Sequence, residues 1–217
     1  MNSKRLFVNA LTFARVPLIF LWAVLAILQV HRGGLALGIA ACAAMLFAGL
    51  TDAWDGSLAR KWGVVSTLGK MADPLMDKVF YLVAFPTLLW MIVRREQIDG
   101  ISFHGLMMLV FTVLYMLRDT WVTFMRSVGA MFGANVAAMW LGKVRTALSF
   151  PGAGWVYMYL AFSPMVPATD YGAAQLLKGW LLSCYVVEGL LMVLTLISIC
   201  TYTAAYLPYL KKALAQK

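Results

Sequence analysis

In the stretch LFAGLTDAWDGSLARK, at residues 46–61, an apolar run ends in two aspartates and two basic residues. A second stretch, GKMADPLMDK at residues 69–78, carries two more aspartates. Asp52, Asp55, Asp73 and Asp77 are therefore four of only nine acidic residues in the chain. Carboxylates beside a membrane-length apolar run are costly to keep there, and they indicate a functional site.

The composition of the 217 residues is that of a membrane protein. Hydrophobic residues make up 63% of the chain and charged residues 12%, with a mean hydropathy of +0.81. Such a chain lacks the charge density of a soluble surface. Several apolar runs approach the ~20 residues of a spanning helix, at 16–30, 33–51, 79–93, 100–117, 146–169 and 179–210. We predict an all-α integral membrane protein with six transmembrane helices, forming a single domain over residues 1–217.

The net charge of +9 is unevenly distributed along the chain. Most basic residues lie at the N-terminus, around residues 60–78 and 118–145, and at the C-terminus. By the positive-inside rule these segments face the cytoplasm, and the aspartates face it with them. The positive charge fits anionic membrane lipids and anionic substrates. No basic stripe interleaved with aromatic residues indicates a nucleic-acid partner.

Helical spacing brings the motif residues onto facing surfaces of two helices. Within an arc of about 100° on the second helix lie Asp52, Asp55, Gly56 and Ala59. Asp73 and Asp77 are four residues apart on the third helix, so they share one face. Gly63 and Gly69, with Ser66 and Thr67 between them, predict the turn of a helical hairpin. The two helices should therefore present their carboxylates to one another.

Four neighbouring carboxylates would repel each other unless a cation neutralised them. Hard oxygen ligands without His or Cys nearby favour Mg²⁺, Mn²⁺ or Ca²⁺ over zinc. Two such ions, about 3.5–4 Å apart, are a common device for binding and displacing a diphosphate. Gly56 and Ala59 leave room for a nucleotide, and Arg60 could bind its phosphate. The alternative is that the aspartates only cap helices and pair with nearby lysines and arginines.

The motif resembles the signature of the CDP-alcohol phosphotransferase family, D-x2-D-G-x2-A-R-x8-G-x3-D-x3-D. Every position is matched, from Asp52 through Gly69 to Asp77. The resemblance implies a six-helix membrane fold, a homodimer, and transfer of a phosphatidyl or similar group from a CDP-linked donor to an alcohol, with CMP released. It also implies two divalent ions, Mg²⁺ or Mn²⁺, and a site facing the cytoplasm from a bacterial inner membrane.

The resemblance further implies a role for each residue of the motif. The metal ligands would be Asp52, Asp55 and Asp73. Asp77 would contact metal and also act as the general base that takes the proton from the attacking hydroxyl. The CDP part of the donor would contact Gly56, Ala59 and Arg60.

Residues outside the motif bear on the acceptor. Asn9, Thr12 and Arg15 resemble the N-L-T-x-x-R start of the bacterial phosphatidylglycerophosphate synthases of this family, with Ala10 as an extra residue. The chain also resembles the R-E-x6-R and G-K-x-K-T elements of these enzymes, at Arg118, Asp119, Arg126, Lys143 and Arg145. We predict CDP-diacylglycerol as donor and glycerol 3-phosphate as acceptor. The acceptor's phosphate would be bound by Arg118, Lys143, Arg145 and Thr12, with Asn9, Arg15, Asp119 and Arg126 as further candidates.

Position 119 is Asp where those synthases usually carry Glu. An Arg-Asp pair here is also similar to cardiolipin synthases of the same superfamily, which use phosphatidylglycerol as acceptor, and this is the alternative function. A cation-coupled transporter is the alternative of another class, but it would distribute acidic residues through the membrane depth. An inactive lipid-binding protein would tolerate loss of a carboxylate, and the motif has lost none. Glu188, alone in the last apolar run, receives no role, and His104 is expected at the membrane interface.

Overall fold

The computed structural model describes residues 3–96, 102–134, 140–167 and 171–215, and within these ranges the chain forms helices and no strands. The element order is α1 Ser3–Arg32, α2 Leu35–Lys61, α3 Thr67–Glu96, α4 Phe103–Met131, α5 Trp140–Phe162 and α6 Tyr171–Ala215, with a short 3₁₀ helix at Ser163–Met165. The predicted all-α fold is confirmed. Each predicted apolar run falls largely within one of these helices.

Five of the described helices are long and apolar enough to cross a membrane: α1, α2, α4, α6 and the Leu75–Arg95 part of α3. The helix α5 does not meet this criterion. Its tyrosines, tryptophans, glycines and single proline lower its hydropathy, and its first turns contain Lys143 and Arg145. Five of the six predicted spans are therefore supported by length and composition, and the sixth stays a prediction.

Packing divides the chain into two compact units. Unit 1 consists of Met1–Ser102 and Ala153–Lys178, and unit 2 of Phe103–Gly152 and Gly179–Lys217. The prediction of a single domain over residues 1–217 stays a prediction. The motif aspartates belong to unit 1, and the basic residues of α4 and early α5 belong to unit 2.

Unit 1 is built around α1, which packs against both α2 and α3. The buried ring of Trp22 meets Tyr157 edge-on, with centroids 5.5 Å apart. Near the end of α1, the Gln29 side chain accepts a hydrogen bond from the Tyr157 hydroxyl at 2.9 Å and donates to the Ala161 carbonyl at 3.0 Å. Such hydrogen bonds between helices add to packing of small residues in membrane proteins. They hold α1 in a defined register.

The turn between α2 and α3 is shorter than the sequence suggested. Gly63 adopts the left-handed conformation, with φ of 62°, and α3 already begins at Thr67. Gly69 therefore lies in the first turn of α3 and not in the loop. The Ser66 hydroxyl accepts the Gly69 N–H at 2.9 Å, as a helix-capping side chain does, and donates to Asn9 Oδ1 at 2.9 Å. A Cβ on Gly69 would come within 3.1 Å of this hydroxyl oxygen, so glycine leaves room for the cap.

In unit 2, polar side-chain contacts join α4 and α6. His104 Nε2 lies 3.0 Å from Glu188 Oε1, and both side chains are buried. His104 is therefore packed between helices, and its expected place at the membrane interface stays a prediction. Nearly five turns further along α4, the exposed Trp121 indole donates to the Thr203 hydroxyl at 2.7 Å. Glu188 thus acts as a structural partner of α4.

Candidate active site

Three motif aspartates converge on one arginine in unit 1. Arg15 Nη2 lies 2.5 Å from Asp52 Oδ1 and 3.1 Å from Asp55 Oδ2, and Arg15 Nη1 lies 3.4 Å from Asp77 Oδ1. The arginine is only 3% exposed. The structure thus confirms that α2 and α3 present carboxylates to one another, with the charge of α1 between them.

The helix α1 supplies a second contact to the same cluster. Thr12 lies one turn before Arg15, so both side chains point to the same side of α1. The Thr12 hydroxyl is 2.8 Å from Asp55 Oδ2, the oxygen that also contacts Arg15, and 3.3 Å from the Val8 carbonyl. Thr12 and Arg15 therefore orient Asp55. The role of Thr12 in binding acceptor phosphate stays a prediction.

The aspartates differ in their access to solvent. The side chain of Asp55 is 5% exposed, while that of Asp77 is 42% and that of Asp52 58% exposed. Asp73 lies on α3, but its side chain is outside the part of the structure that is described. Asp52 and Asp77 are therefore accessible to an incoming ligand, and Asp55 lies at the buried bottom of the site.

The donor set is the one that a hard divalent cation needs. Carboxylate oxygens suit Mg²⁺ and Mn²⁺, and Asp52, Asp55 and Asp77 already surround a positive group. Among the described side chains, no three such ligands stand close enough to form a metal site by themselves. The carboxylates are instead gathered around the Arg15 guanidinium. The carboxylates have the chemistry of metal ligands, and in this structure they are positioned around Arg15.

The residues expected to contact the donor lie beside this cluster on α2. Gly56 and Ala59 are half-buried, and Arg60 is exposed. A Cβ built on Gly56 would meet only the Arg60 guanidinium within 4 Å, with Nη1 at 3.5 Å. This face of α2 is therefore open except for a flexible cation, which is what a phosphate-bearing ligand needs.

Unit 2 contains a second charged cluster, formed by two arginines around one carboxylate. Asp119 Oδ1 accepts from Arg118 Nη1 at 2.9 Å and from Arg145 Nη2 at 2.7 Å. Arg118 also donates through Nε and Nη2 to the Ser198 hydroxyl of α6, at 3.0 and 2.6 Å. The Arg145 guanidinium lies over the Tyr115 ring, 3.8 Å from its centroid. The cluster carries a formal charge of +1.

Arg145 retains hydrogen-bonding capacity that the described residues do not use. It is 1% exposed, yet its Nε and Nη1 have no hydrogen-bond acceptor in the described structure. Buried donors without a partner are costly. A Cβ on Gly142 would come 3.0 Å from Arg118 Nη2, so glycine at this position leaves room for the cluster. Lys143 is exposed nearby in sequence, and Arg126 is half-buried on α4.

The sequence matches the family described as CDP-alcohol phosphatidyltransferase over residues 5–197. The chain belongs to this family. It is a transferase of phospholipid biosynthesis, and the family in general depends on divalent cations. The structural motif and the family match therefore agree on an integral membrane enzyme.

Three curated relatives all bear the name CDP-diacylglycerol–glycerol-3-phosphate 3-phosphatidyltransferase. The protein of Rickettsia typhi is 31% identical over 64% of this chain and 69% of its own length. That of Escherichia coli K12 is 29% identical over 52% of this chain and 59% of its own. That of Mycoplasma genitalium is 36% identical over 49% of this chain and 40% of its own. The last two alignments thus cover less than two thirds of those proteins.

Three partners of the predicted residues were not identified from the sequence. Ser198 binds Arg118 across 80 positions, and no local pattern points to it. Tyr115 lies three residues before Arg118 on α4, so helical spacing could have placed it near the basic cluster. Ser66, which links Asn9 to the start of α3, also carries a recognisable signal, since serine is a preferred N-cap residue.

Proposed function

We propose that this protein transfers the phosphatidyl group of CDP-diacylglycerol to glycerol 3-phosphate and releases CMP. The observation that carries the choice of acceptor is the Arg118–Asp119–Arg145 cluster, in which two buried arginines share a single carboxylate. Such a cluster favours a further anion. The names of the relatives support the same acceptor over phosphatidylglycerol.

The donor half of the reaction belongs to the motif. Asp52, Asp55, Asp73 and Asp77 have the chemistry to hold two divalent ions, Mg²⁺ or Mn²⁺, which would neutralise the diphosphate and stabilise the charge on departing CMP. Gly56 and Ala59 give the nucleotide close approach to α2. Arg60 can pair with a phosphate as a mobile, exposed cation.

The acceptor hydroxyl loses a proton in the reaction, and Asp77 is the residue that takes it in this proposal. The acceptor hydroxyl attacks the phosphorus that carries the lipid, and a new P–O bond forms as the bond to CMP breaks. Asp77 takes the hydroxyl proton. It suits this task because its side chain is 42% exposed, so an incoming hydroxyl can reach the carboxylate. The buried Asp55 has no such access.

The acceptor half belongs to the basic cluster. Arg118, Lys143 and Arg145 would bind the dianionic phosphate of glycerol 3-phosphate through charge-assisted hydrogen bonds. Asp119 holds both guanidinium groups in place, and its shorter side chain still reaches them. Thr12 is retained as a candidate acceptor ligand, with Asn9, Arg15 and Arg126 as supporting residues.

The cellular setting follows from the same proposal. The enzyme works as a homodimer in a bacterial inner membrane, with the motif facing the cytoplasm. The basic residues near the motif favour this orientation. A cytoplasmic site would also meet soluble glycerol 3-phosphate on the side where CMP is released.

An assay with parallel acceptors tests the proposed function. The purified protein should release CMP from CDP-diacylglycerol with glycerol 3-phosphate, and plain glycerol should be a very poor acceptor because it lacks the phosphate. Phosphatidylglycerol, serine and inositol phosphate serve as comparisons, with the lipid product identified by mass spectrometry. Formation of cardiolipin from phosphatidylglycerol, with glycerol 3-phosphate ignored, would assign the alternative acceptor.

Neutralising the acceptor cations should weaken acceptor use and leave donor use nearly unchanged. Lys143→Gln, or Arg145→Gln, should lower kcat/KM for glycerol 3-phosphate by roughly 10 to 150-fold, because each removes a charge-assisted hydrogen bond worth ~1.5 to 3 kcal/mol. Steady-state kinetics with each substrate varied in turn measures the difference. Lys178→Gln, another exposed lysine, is the matched control. An equal loss against CDP-diacylglycerol would argue for a donor role instead.

A further inference from the structure

We infer that Arg15 is an internal counter-ion that competes with the divalent cation for the motif carboxylates. This inference rests on the proposed metal site. It assigns Arg15 a positioning role in unit 1, separate from the binding of acceptor phosphate. The guanidinium would hold the carboxylates together in the metal-free enzyme and release at least one of them when metal binds.

The contacts show that Arg15 occupies the shared space of the cluster. One nitrogen, Nη2, contacts both Asp52 and Asp55 from α2, and the other, Nη1, contacts Asp77 from α3. With Thr12 on the same Asp55 oxygen, that atom already accepts two donors. A metal that uses these oxygens must displace part of this arrangement.

Charge explains why the arrangement is stable but incomplete. Three carboxylates and one guanidinium leave a formal charge of −2, which a divalent cation would cancel. Without Arg15 the three like charges would repel each other within a few ångströms. Solvent screens the contact between Arg15 and the buried Asp55 little, and screens the contacts to the more exposed Asp52 and Asp77 more strongly. The single positive charge of Arg15 therefore holds the three carboxylates together but does not neutralise them.

Competition between Arg15 and the metal predicts the direction in which metal affinity changes when Arg15 is removed. Other roles of Arg15 predict the opposite direction or no change. If the guanidinium and the metal share oxygens, removing the guanidinium must tighten metal binding, by the linkage between two ligands of one site. If Arg15 instead supports the metal ligands, its loss must weaken metal binding. If it contacts only substrate, metal affinity in the absence of substrate must stay the same.

The test is Mn²⁺ binding to the full chain in detergent without nucleotide, followed by electron paramagnetic resonance. Arg15→Gln should bind Mn²⁺ at least about fivefold more tightly than the parent, the lower end of usual coupling between two sites. Arg15→Lys should fall between them, because an ammonium keeps the charge but cannot bridge three carboxylates as a guanidinium does. Arg32→Gln, exposed at the other end of α1, should bind like the parent.

A second readout reports the metal-free state. In excess chelator the melting temperature of Arg15→Gln should lie below that of the parent, and Mn²⁺ should raise it by more than it raises the parent's. Unchanged or weaker Mn²⁺ binding by both folded Arg15 variants would overturn the inference and leave the proposed function standing. Absence of Mn²⁺ binding by the parent itself would overturn the metal site as well.

Discussion

Removal of divalent cations should abolish CMP release, and Mg²⁺ or Mn²⁺ should restore it. Asp55→Asn should have nearly the same effect in metal-replete buffer, because it removes the negative charge at the buried bottom of the cluster. Metal stabilisation of a transition-state charge is worth several kcal/mol, which corresponds to a loss of roughly 10³-fold. The measurement is CMP release from CDP-diacylglycerol, before and after chelation and at increasing metal concentration.

The control is a carboxylate outside the motif. Asp99→Asn makes the same chemical change and should retain activity and its metal response. Size-exclusion chromatography and thermal melting establish that Asp55→Asn is folded, since its contacts to Thr12 and Arg15 are lost or changed. Full turnover in excess chelator, or a fully active Asp55→Asn, would contradict the proposed metal site.

The sequence was sufficient to predict the helices and the pairing of the motif. Membrane-length apolar runs can be counted directly, and aspartates three or four apart must share a helix face. The exact turn was harder to predict, because glycine is compatible with both a loop and a helix. In the structure Ser66 caps α3, so Gly69 lies within the helix. The helix α5 shows a second difficulty, because a run without charged residues can still have a lower hydropathy than a membrane-spanning helix needs.

Contacts between distant residues could not be predicted from local spacing. Arg15 was a candidate for acceptor binding because of its place in a resemblance, yet it contacts motif carboxylates that lie 37, 40 and 62 positions further along the chain. His104 and Glu188 lie 84 positions apart, and each looked isolated in its own segment. These contacts depend on which helix faces are buried together. A single sequence does not specify that choice.

The substitution at position 119 illustrates how geometry resolves a departure from a family pattern. An aspartate is one methylene shorter than the usual glutamate, so the sequence left its role open between two acceptors. In the structure its Oδ1 atom accepts from Arg118 and Arg145 together. Asp119 therefore orders a pair of cations, a task that the shorter side chain performs because Arg118 is its immediate neighbour.

Replacing Asp77 should chiefly slow the chemical step. Asp77→Asn keeps the size of the side chain but cannot accept a proton, and general-base catalysis typically contributes ~10² to 10⁴-fold. We therefore expect kcat to fall by this amount while donor binding survives. The rate must be measured with CDP-diacylglycerol, acceptor and metal all saturating, because Asp77 is also expected to contact metal.

Comparison with Asp52→Asn separates the two roles of Asp77. Both aspartates are open to solvent and both contact Arg15, so the two variants remove similar charges from similar places. A residue that only binds metal should recover much of its activity at high Mn²⁺, as we expect for Asp52→Asn. A general base should not recover, because metal cannot replace the missing proton acceptor. If Asp77→Asn regained near-normal kcat at saturating Mn²⁺, Asp77 would be a metal ligand alone, and another group would have to take the hydroxyl proton.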